Sequence, residues 1–267
     1  MISVIVIAKN EEKMIKACLE SVKWADEIIF FDNNSTDKTI EIAKKYTDKI
    51  FNFRELDYAQ VKNDAFEKTK GEWVLYIDSD ERVLEPLKNE ILELIKSTDK
   101  SAYALSRRNI IFGQEVSYTS FWPDWIIRLV KRDSFISWKG KVHETLTFSG
   151  SLGYTKNSLL HLTHRNLDQV VIKSLNWSKI DAKLRLETNH PQMSSWRFLR
   201  IIFTEIFYQG IIRKGFFNGT VGTIDAILQA FSLFMTYVRL WQLQQQKPLD
   251  EVYTDIDKKL IESGFKY

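Results

Sequence analysis

The chain contains one cysteine, Cys18, among 267 residues, so an intrachain disulfide is excluded and an apolar core must hold the fold. Cys18 falls within a helical pattern, where a small buried hydrophobe is the expected role and a reducing compartment suits it. Charge of one sign is also scarce. The formal net charge of +3 leaves no electrostatic footprint for nucleic acid, which is not expected as a partner. No tandem repeat or low-complexity tract appears. The start, Met1-Ile2-Ser3-Val4-Ile5-Val6-Ile7, lacks a basic n-region and a small-residue cleavage site, so it reads as a core strand on a cytoplasmic-facing protein. Beyond the first apolar run, the glycine-rich loop that would cradle a triphosphate is missing. Its place is taken by Ala8-Lys9-Asn10-Glu11-Glu12, which disfavours a nucleotidyltransferase-like enzyme.

What is present is a large apolar share, 44%, beside 27% charged residues, enough for a sizeable core. Val4 to Ala8 is a continuous apolar run of the kind found in strands buried on both faces. A helix is expected over Glu11 to Val22, with Met14, Ile15, Leu19 and Val22 at helical spacing. Glu27 to Phe31 reads as a second strand, and Ser35-Thr36-Asp37 opens a helix, with Asn34 or Ser35 as its cap. A short strand is expected over Lys49 to Phe53, a helix over Tyr58 to Lys68 and a fourth strand over Trp73 to Ile77. Alternation at this spacing predicts an α/β fold with a mostly parallel, Rossmann-like sheet and right-handed crossovers.

In such sheets ligands sit beyond the carboxyl ends of the strands. Three strand ends are polar there: Lys9-Asn10-Glu11, Asp32-Asn33-Asn34 and Asp78-Ser79-Asp80. Two carboxylates one residue apart can together reach a hard divalent cation and the ribose of a nucleotide, the cation keeping positions for phosphate oxygens and water. As a bare pattern Asp-x-Asp is weak, because a solvated turn can imitate it. Its position after Trp73-Val74-Leu75-Tyr76-Ile77 gives it weight. Asp32, at a strand terminus ahead of the helix cap, can accept hydrogen bonds from a base or ribose.

Four blocks, Ile5-Val6-Ile7-Ala8-Lys9-Asn10-Glu11-Glu12, Asp32-Asn33-Asn34-Ser35-Thr36-Asp37, Lys62-Asn63-Asp64-Ala65 and Gly71-Glu72-Trp73-Val74-Leu75-Tyr76-Ile77-Asp78-Ser79-Asp80-Glu81, resemble glycosyltransferase family 2 in order and spacing. The likeness spans about the first 100 residues. Later blocks resemble the bacterial subgroup that includes lipopolysaccharide core β-glucosyltransferases. The resemblance implies a GT-A fold, a UDP-sugar donor, Mg2+ or Mn2+, and inversion at the anomeric carbon. It implies that Ala8 and Asp32 line the base and ribose, with Asn10 and Glu11 on the same edge. Lys62 stands at a basic position near the nucleotide where the family often has arginine, Asp78 faces the ribose and Asp80 the metal.

An inverting transfer needs a general base for the acceptor hydroxyl. Within Trp138-Lys139-Gly140-Lys141-Val142-His143-Glu144, the resembled subgroup has a His-Glu block, which makes Glu144 the candidate and an ordinary exposed glutamate the plain alternative. Asp124, in Phe121-Trp122-Pro123-Asp124-Trp125, is the rival, among aromatics that could also meet sugar faces. A third metal ligand is expected from Leu159-Leu160-His161-Leu162-Thr163-His164, with His161 preferred and His164 the alternative. His190 reads as a loop residue.

Residues 1–165 are expected to form the nucleotide-sugar-binding and catalytic domain, and 166–267 a helical region. In the latter, Phe198 to Ile212 and Ala226 to Val238 are strongly apolar. The charges Arg200 and Glu205, and Asp225 and Arg239, keep each run below the ~18–20 uninterrupted residues of a spanning helix. Arg213-Lys214-Gly215-Phe216-Phe217, with Lys173, Lys179, Lys183, Arg185 and Arg197, makes a basic and aromatic face. Its functional reading is peripheral attachment to the cytoplasmic membrane face, where a lipid-linked or glycan acceptor would be met. Its plain reading is a bundle packing on the catalytic domain or forming a homodimer. A non-catalytic membrane-associated scaffold is the remaining alternative, and Asp78, Asp80 and Glu144 count against it.

Overall fold

The computed structural model describes residues 1–53, 58–116, 123–140 and 144–265. Contacts divide the chain into two compact units, Met1–Arg165 and Asn166–Tyr267.

The first unit follows the expected alternation: β1 Ile2–Ala8, α1 Ile15–Val22, β2 Glu27–Asp32, α2 Thr39–Ala43, β3 Ile50–Asn52, α3 Tyr58–Glu67 and β4 Trp73–Asp78. Then come β5 Glu81–Arg82, α4 Glu85–Leu94, β6 Ala102–Ile111, β7 Gln114–Val116, β8 Asp124–Lys131, β9 Phe135–Lys139, β10 Thr145–Phe148, β11 Leu152–Tyr154 and β12 Leu159–Thr163. The main sheet runs β3-β2-β1-β4-β8-β6-β12-β5, with β7 and β11 paired to β6, while β9 and β10 form a separate hairpin. Strands β3, β2, β1 and β4 are parallel, and β8 enters antiparallel between β4 and β6.

Chain order runs outward from β1 through β2 to β3, then returns to the other side of β1 as β4. That reversal creates the crevice at the carboxyl ends of β1 and β4. Register levels the strand ends: Ala8 pairs with Asp32, and Ile7 with Asp78.

Both faces of this sheet are covered, as the unbroken apolar run of β1 requires. Val4 and Val6 pack with Ile15, Leu19 and Val22 of α1 and Leu87 and Ile91 of α4. Ile5 faces the other way, with Val61, Ala65 and Phe66 of α3 and Trp138 of β9. Each such fully buried aliphatic side chain contributes about 1.5–3 kcal/mol. Gly71 lets the β4 approach lie against β1, since a Cβ there would stand 2.6 Å from the Ser3 nitrogen.

Two helix starts differ from expectation. Helix α1 begins at Ile15 because residues 11–14 form a turn in which Met14 and Ile15 both donate to the Glu11 carbonyl. Helix α2 begins at Thr39, whose N–H is taken by Asp37 at 3.0 Å. Asn34 and Ser35 are therefore not its cap; Ser35 Oγ instead accepts the Asn10 N–H at 2.8 Å.

The second unit comprises α5 Leu167–Glu187, α6 Ser195–Phe207, α7 Gly219–Leu243 and α8 Leu249–Glu262. Its small core joins Ala182, Met193 and Leu240, with Phe198, Ile201 and Tyr237 packed around them. Helix α7 corrects the sequence reading, which stopped its apolar segment at Asp225 and Arg239. The helix carries both charges inside its 25 residues and is long and apolar enough to cross a membrane by length and composition, with 33% of the qualifying stretch buried. Asp225 is buried and accepts from Gln229, and Arg239 donates to Ser178 Oγ at 2.7 Å. Partners inside the unit thus keep the helix unbroken.

Candidate active site

The carboxyl ends of β1, β2 and β4 bring Ala8, Asp32 and Asp78 side by side, and α3, β8, β12 and Glu144 supply the remaining groups. Asp32 is fully buried. Its Oδ2 accepts the Ser35 N–H at 2.8 Å, while its Oδ1 has no hydrogen-bond partner. Leaving a buried carboxylate oxygen unpaired costs about 1–3 kcal/mol, so this atom is available to a donor group.

Asn10 and Glu11 spend their polar atoms on the protein. Asn10 has a left-handed backbone, φ 53°, which asparagine tolerates better than most residues, and its Oδ1 accepts the Thr36 N–H at 2.8 Å. Both Glu11 carboxylate oxygens lie 3.0 Å from Arg165. Burial raises the Glu11 carboxyl above its ordinary pKa, against the opposing pull of Arg165. The Asn10 contact stitches the loop after β1 to the loop after β2, and the Glu11 contact ties it to Arg165 beyond β12.

Asp78 rests on a buried arginine that local sequence patterns did not single out. Arg128, in the interior of β8, donates to Asp78 Oδ2 and, at 3.0 Å, to Glu81 Oε1. Glu81 is fully buried, and its other oxygen accepts the Asp78 N–H at 2.9 Å. Burial pushes the Asp78 carboxyl up, but Arg128 first, then Lys62 and Arg107, outweigh it, so Asp78 titrates well below the usual carboxylate range. Glu81 moves upward, because burial outweighs the same arginine.

Asp80 lies past the end of β4, and its Oδ2 is 3.5 Å from His161 Nε2. His161 is on β12, beside Asn109 of β6 in register. Its Nδ1 is 2.6 Å from Asn109 Oδ1, and Asn109 Nδ2 lies 3.2 Å from Asp124 Oδ2. A carboxylate accepts only, so the amide nitrogen must face Asp124 and the amide oxygen must accept from His161. His161 therefore carries hydrogen on Nδ1. His164 has a left-handed backbone, φ 46°. Among the described residues no group of three His, Cys, Asp or Glu side chains could hold a metal ion.

Asp124 accepts from Arg107 Nε at 2.8 Å as well as from Asn109. Glu144 follows the β9 strand, with its Oε2 3.4 Å from Lys62 Nζ. That ammonium also sits 4.4 Å from the centre of the Trp138 ring, a cation–π contact. Asn63 holds the same tryptophan by its backbone: it accepts from Trp138 N at 2.7 Å and donates to Trp138 O at 3.1 Å. The Lys62-Asn63 pair thus docks α3 on β9 and puts the lysine beside Glu144. Tyr58, at the start of α3, has its hydroxyl pushed above the ordinary pKa, chiefly by burial. Phe121, Trp122, Lys141, Val142 and His143 lie outside the described residues.

The structure therefore joins Asp80 to His161 and Lys62 to Glu144, and sets Asp32 level with Asp78. Sequence reasoning missed Arg128, Glu81, Arg107 and Asn109 as partners. The only local signal was that arginine and asparagine interrupt otherwise apolar strands.

The profile of glycosyl transferase family 2 matches residues 3–150, and the chain belongs to that family. It is a glycosyltransferase, and its helix-flanked mixed sheet is a GT-A fold. It is 28% identical to a lipopolysaccharide core biosynthesis glycosyltransferase, LpsC, of Rhizobium meliloti (strain 1021), over 90% of this chain and 92% of that one. It is 27% identical to an uncharacterized glycosyltransferase of Rickettsia bellii (strain RML369-C), over 92% and 87%. Among solved structures, TarS 1-349 of S. aureus aligns over 90% of this chain and 82% of that chain, at 15% identity and a TM-score of 0.44. Glucosyl-3-phosphoglycerate synthase from Mycobacterium tuberculosis, solved with Mn2+, UDP and glucosyl-3-phosphoglycerate, aligns over 40% and 44%, at 24% identity and a TM-score of 0.33.

Proposed function

We propose that the protein moves a hexose such as glucose from a UDP-sugar to a cell-envelope glycan or lipid-linked acceptor, with lipopolysaccharide core as the leading class, and with inversion at the anomeric carbon. The observation that carries this reading is the buried, unpartnered Asp32 Oδ1 at the strand-end crevice, level with Ala8 and Asp78. A nucleoside offers what that atom lacks, an N–H or hydroxyl donor. The lipopolysaccharide assignment draws on the resemblance to LpsC over nearly its full length.

In this reading Ala8 and Asp32 line the base and ribose, and Asp78, braced by Arg128, accepts from the ribose. Lys62 lies near the diphosphate. Asp80 and His161 hold Mg2+ or Mn2+; one carboxylate and one imidazole suit such an ion, which keeps its remaining positions for diphosphate oxygens and water. When bound, the cation would neutralise charge gathering on the leaving diphosphate. Asn10 and Glu11 shape the nucleotide edge indirectly, Asn10 by holding the loop after β1 to the loop after β2 and Glu11 by holding it to Thr39 and Arg165.

Glu144 is the proposed base. It takes the proton from the acceptor hydroxyl as that oxygen attacks the anomeric carbon and the UDP oxygen departs. A carboxylate held by one lysine at 3.4 Å keeps its second oxygen for this task. Asp124 is the weaker candidate, because Arg107 and Asn109 both donate to its Oδ2.

The second unit is proposed to attach peripherally to the cytoplasmic membrane face, where lipid-linked acceptors are made. Donor hydrolysis over a panel of UDP- and GDP-sugars, with and without Mn2+, tests the enzymatic reading. Turnover of at least one UDP-sugar with Mn2+ is expected, and failure to bind any nucleotide-sugar sinks the proposal.

A further inference from the structure

Helix α6 has no buried residue, although aromatic and aliphatic side chains make up most of it. Trp196, Leu199, Phe203 and Phe207 recur at helical spacing and form one stripe. Their exposures are 72%, 64%, 79% and 52%. The other face is occupied, since Phe198 and Ile201 pack on the Ala182, Met193 and Leu240 core and the Phe198 ring meets Phe234 at 5.8 Å. The helix is thus anchored by one side and bare on the opposite one. Past the helix, Ile212 and Phe217 are exposed as well, at 54% and 70%.

Charge borders this stripe with one sign. Between Ser195 and Phe217 the cations are Arg197, Arg200, Arg213 and Lys214, and Glu205 is the sole acid. Glu205 is turned to Gln209, whose amide donates to it at 2.8 Å. Arg200 and Lys214 are exposed, and their long stems allow the charged ends to stay in water while the apolar stripe is covered.

We propose that α6 is an interfacial helix that lays Trp196, Leu199, Phe203 and Phe207 into the surface of an anionic lipid bilayer. The proposal rests on the membrane-attachment reading above and identifies the element responsible. Thirteen residues span about 20 Å, short of the ~30 Å hydrocarbon core, so the helix lies along the surface. Anionic headgroups complement the basic border, and an aromatic stripe suits the headgroup–acyl boundary. A second copy of the chain is the poorer occupant. A two-fold contact through this patch would bring Arg200 and Lys214 against the same cations of the partner.

Flotation of the full chain with phosphatidylcholine vesicles, with and without phosphatidylglycerol, tests this. Wild type is expected to float with the anionic vesicles and far less with the neutral ones. The double variant Leu199→Gln/Phe203→Gln should lose at least tenfold in partitioning, while its thermal midpoint and its UDP-sugar hydrolysis match the parent. Replacing Arg200 and Lys214 by Gln should weaken anionic binding and leave the fold intact. Unchanged flotation of the double variant would overturn the assignment, as would equal binding of wild type to both vesicle types. If the double variant instead dissociates an oligomer in sedimentation velocity with flotation unchanged, the face belongs to a second copy. Loss of donor hydrolysis in the parent would refute the enzymatic reading without touching the flotation result.

Discussion

The side-chain amide of Asn109 accepts from His161 Nδ1 at 2.6 Å and donates to Asp124, so the orientation of one imidazole is set by a carboxylate it never touches. Groups that orient a metal ligand typically change metal affinity 10–100-fold when removed. Asn109→Ala is therefore expected to weaken Mn2+ binding in the presence of UDP by roughly that factor, read by calorimetry. The ring nitrogen shifts of His161 should show the Nδ1–H tautomer in the parent and a mixture in the variant. Equal affinity and an unchanged tautomer would refute the positioning role.

Glu144 and Asp124 can be separated as bases. Glu144→Gln is expected to cut transfer by at least 10²-fold, the lower range of general-base contributions, with UDP-sugar binding within a few-fold of the parent. Asp124→Asn should lose less in transfer and more in Mn2+ affinity, since it ends the chain through Asn109 to His161. A fully active Glu144→Gln protein would transfer the role to Asp124.

Arg128 should matter to stability before it matters to catalysis. Arg128→Met leaves the fully buried Glu81 with only the more distant Arg107, 3.8 Å away, and breaking a buried pair from one side costs about 3–5 kcal/mol. The double variant Glu81→Gln/Arg128→Met should regain part of that loss in urea melts. A double variant as unstable as the sum of its parts would show that the pair is not energetically coupled.

Glu27 predicts an acid-sensitive term in stability. It is buried at the start of β2, where it accepts from Lys49 and Ser3 and takes the Lys70 N–H at 2.8 Å. Burial raises its carboxyl, but these donors outweigh that, and the net displacement is downward. A carboxyl depressed in the folded state stabilises fully above the unfolded value of about 4.3 and loses that contribution as pH falls through the folded one. Glu27→Gln should cost roughly 2–3 kcal/mol at neutral pH, with a smaller difference from the parent near pH 3. A pH-independent difference would rule out the ionised state as its source.

The amino-acid sequence by itself determined the succession β1 to β4, because runs buried on both faces must be continuously apolar and the helices between them keep a 3.6-residue period. It also determined that acids terminate β2 and β4, since a polar residue after such a run must lie where the strand leaves the core. Helix starts were less legible: the hydroxyls and acids of residues 34–39 can cap several turns, and the contacts from Asn10, Glu11 and Glu12 decide among them. The short strands β9 to β12 carry too few residues for a period to register.

Only the tertiary structure decided the partners of the charged groups. Asp78 meets Arg128 across 50 residues, His161 meets Asn109 across 52, and Lys62 meets Glu144 across 82. Local pattern encodes which side chains must be buried or exposed, whereas a buried charge is satisfied by whichever strand the sheet brings alongside it. In the second unit the apolar pattern foretold helices. Which apolar face α6 buries against α7 and which it leaves bare follows from packing, since both faces of that helix are hydrophobic enough to have been the core.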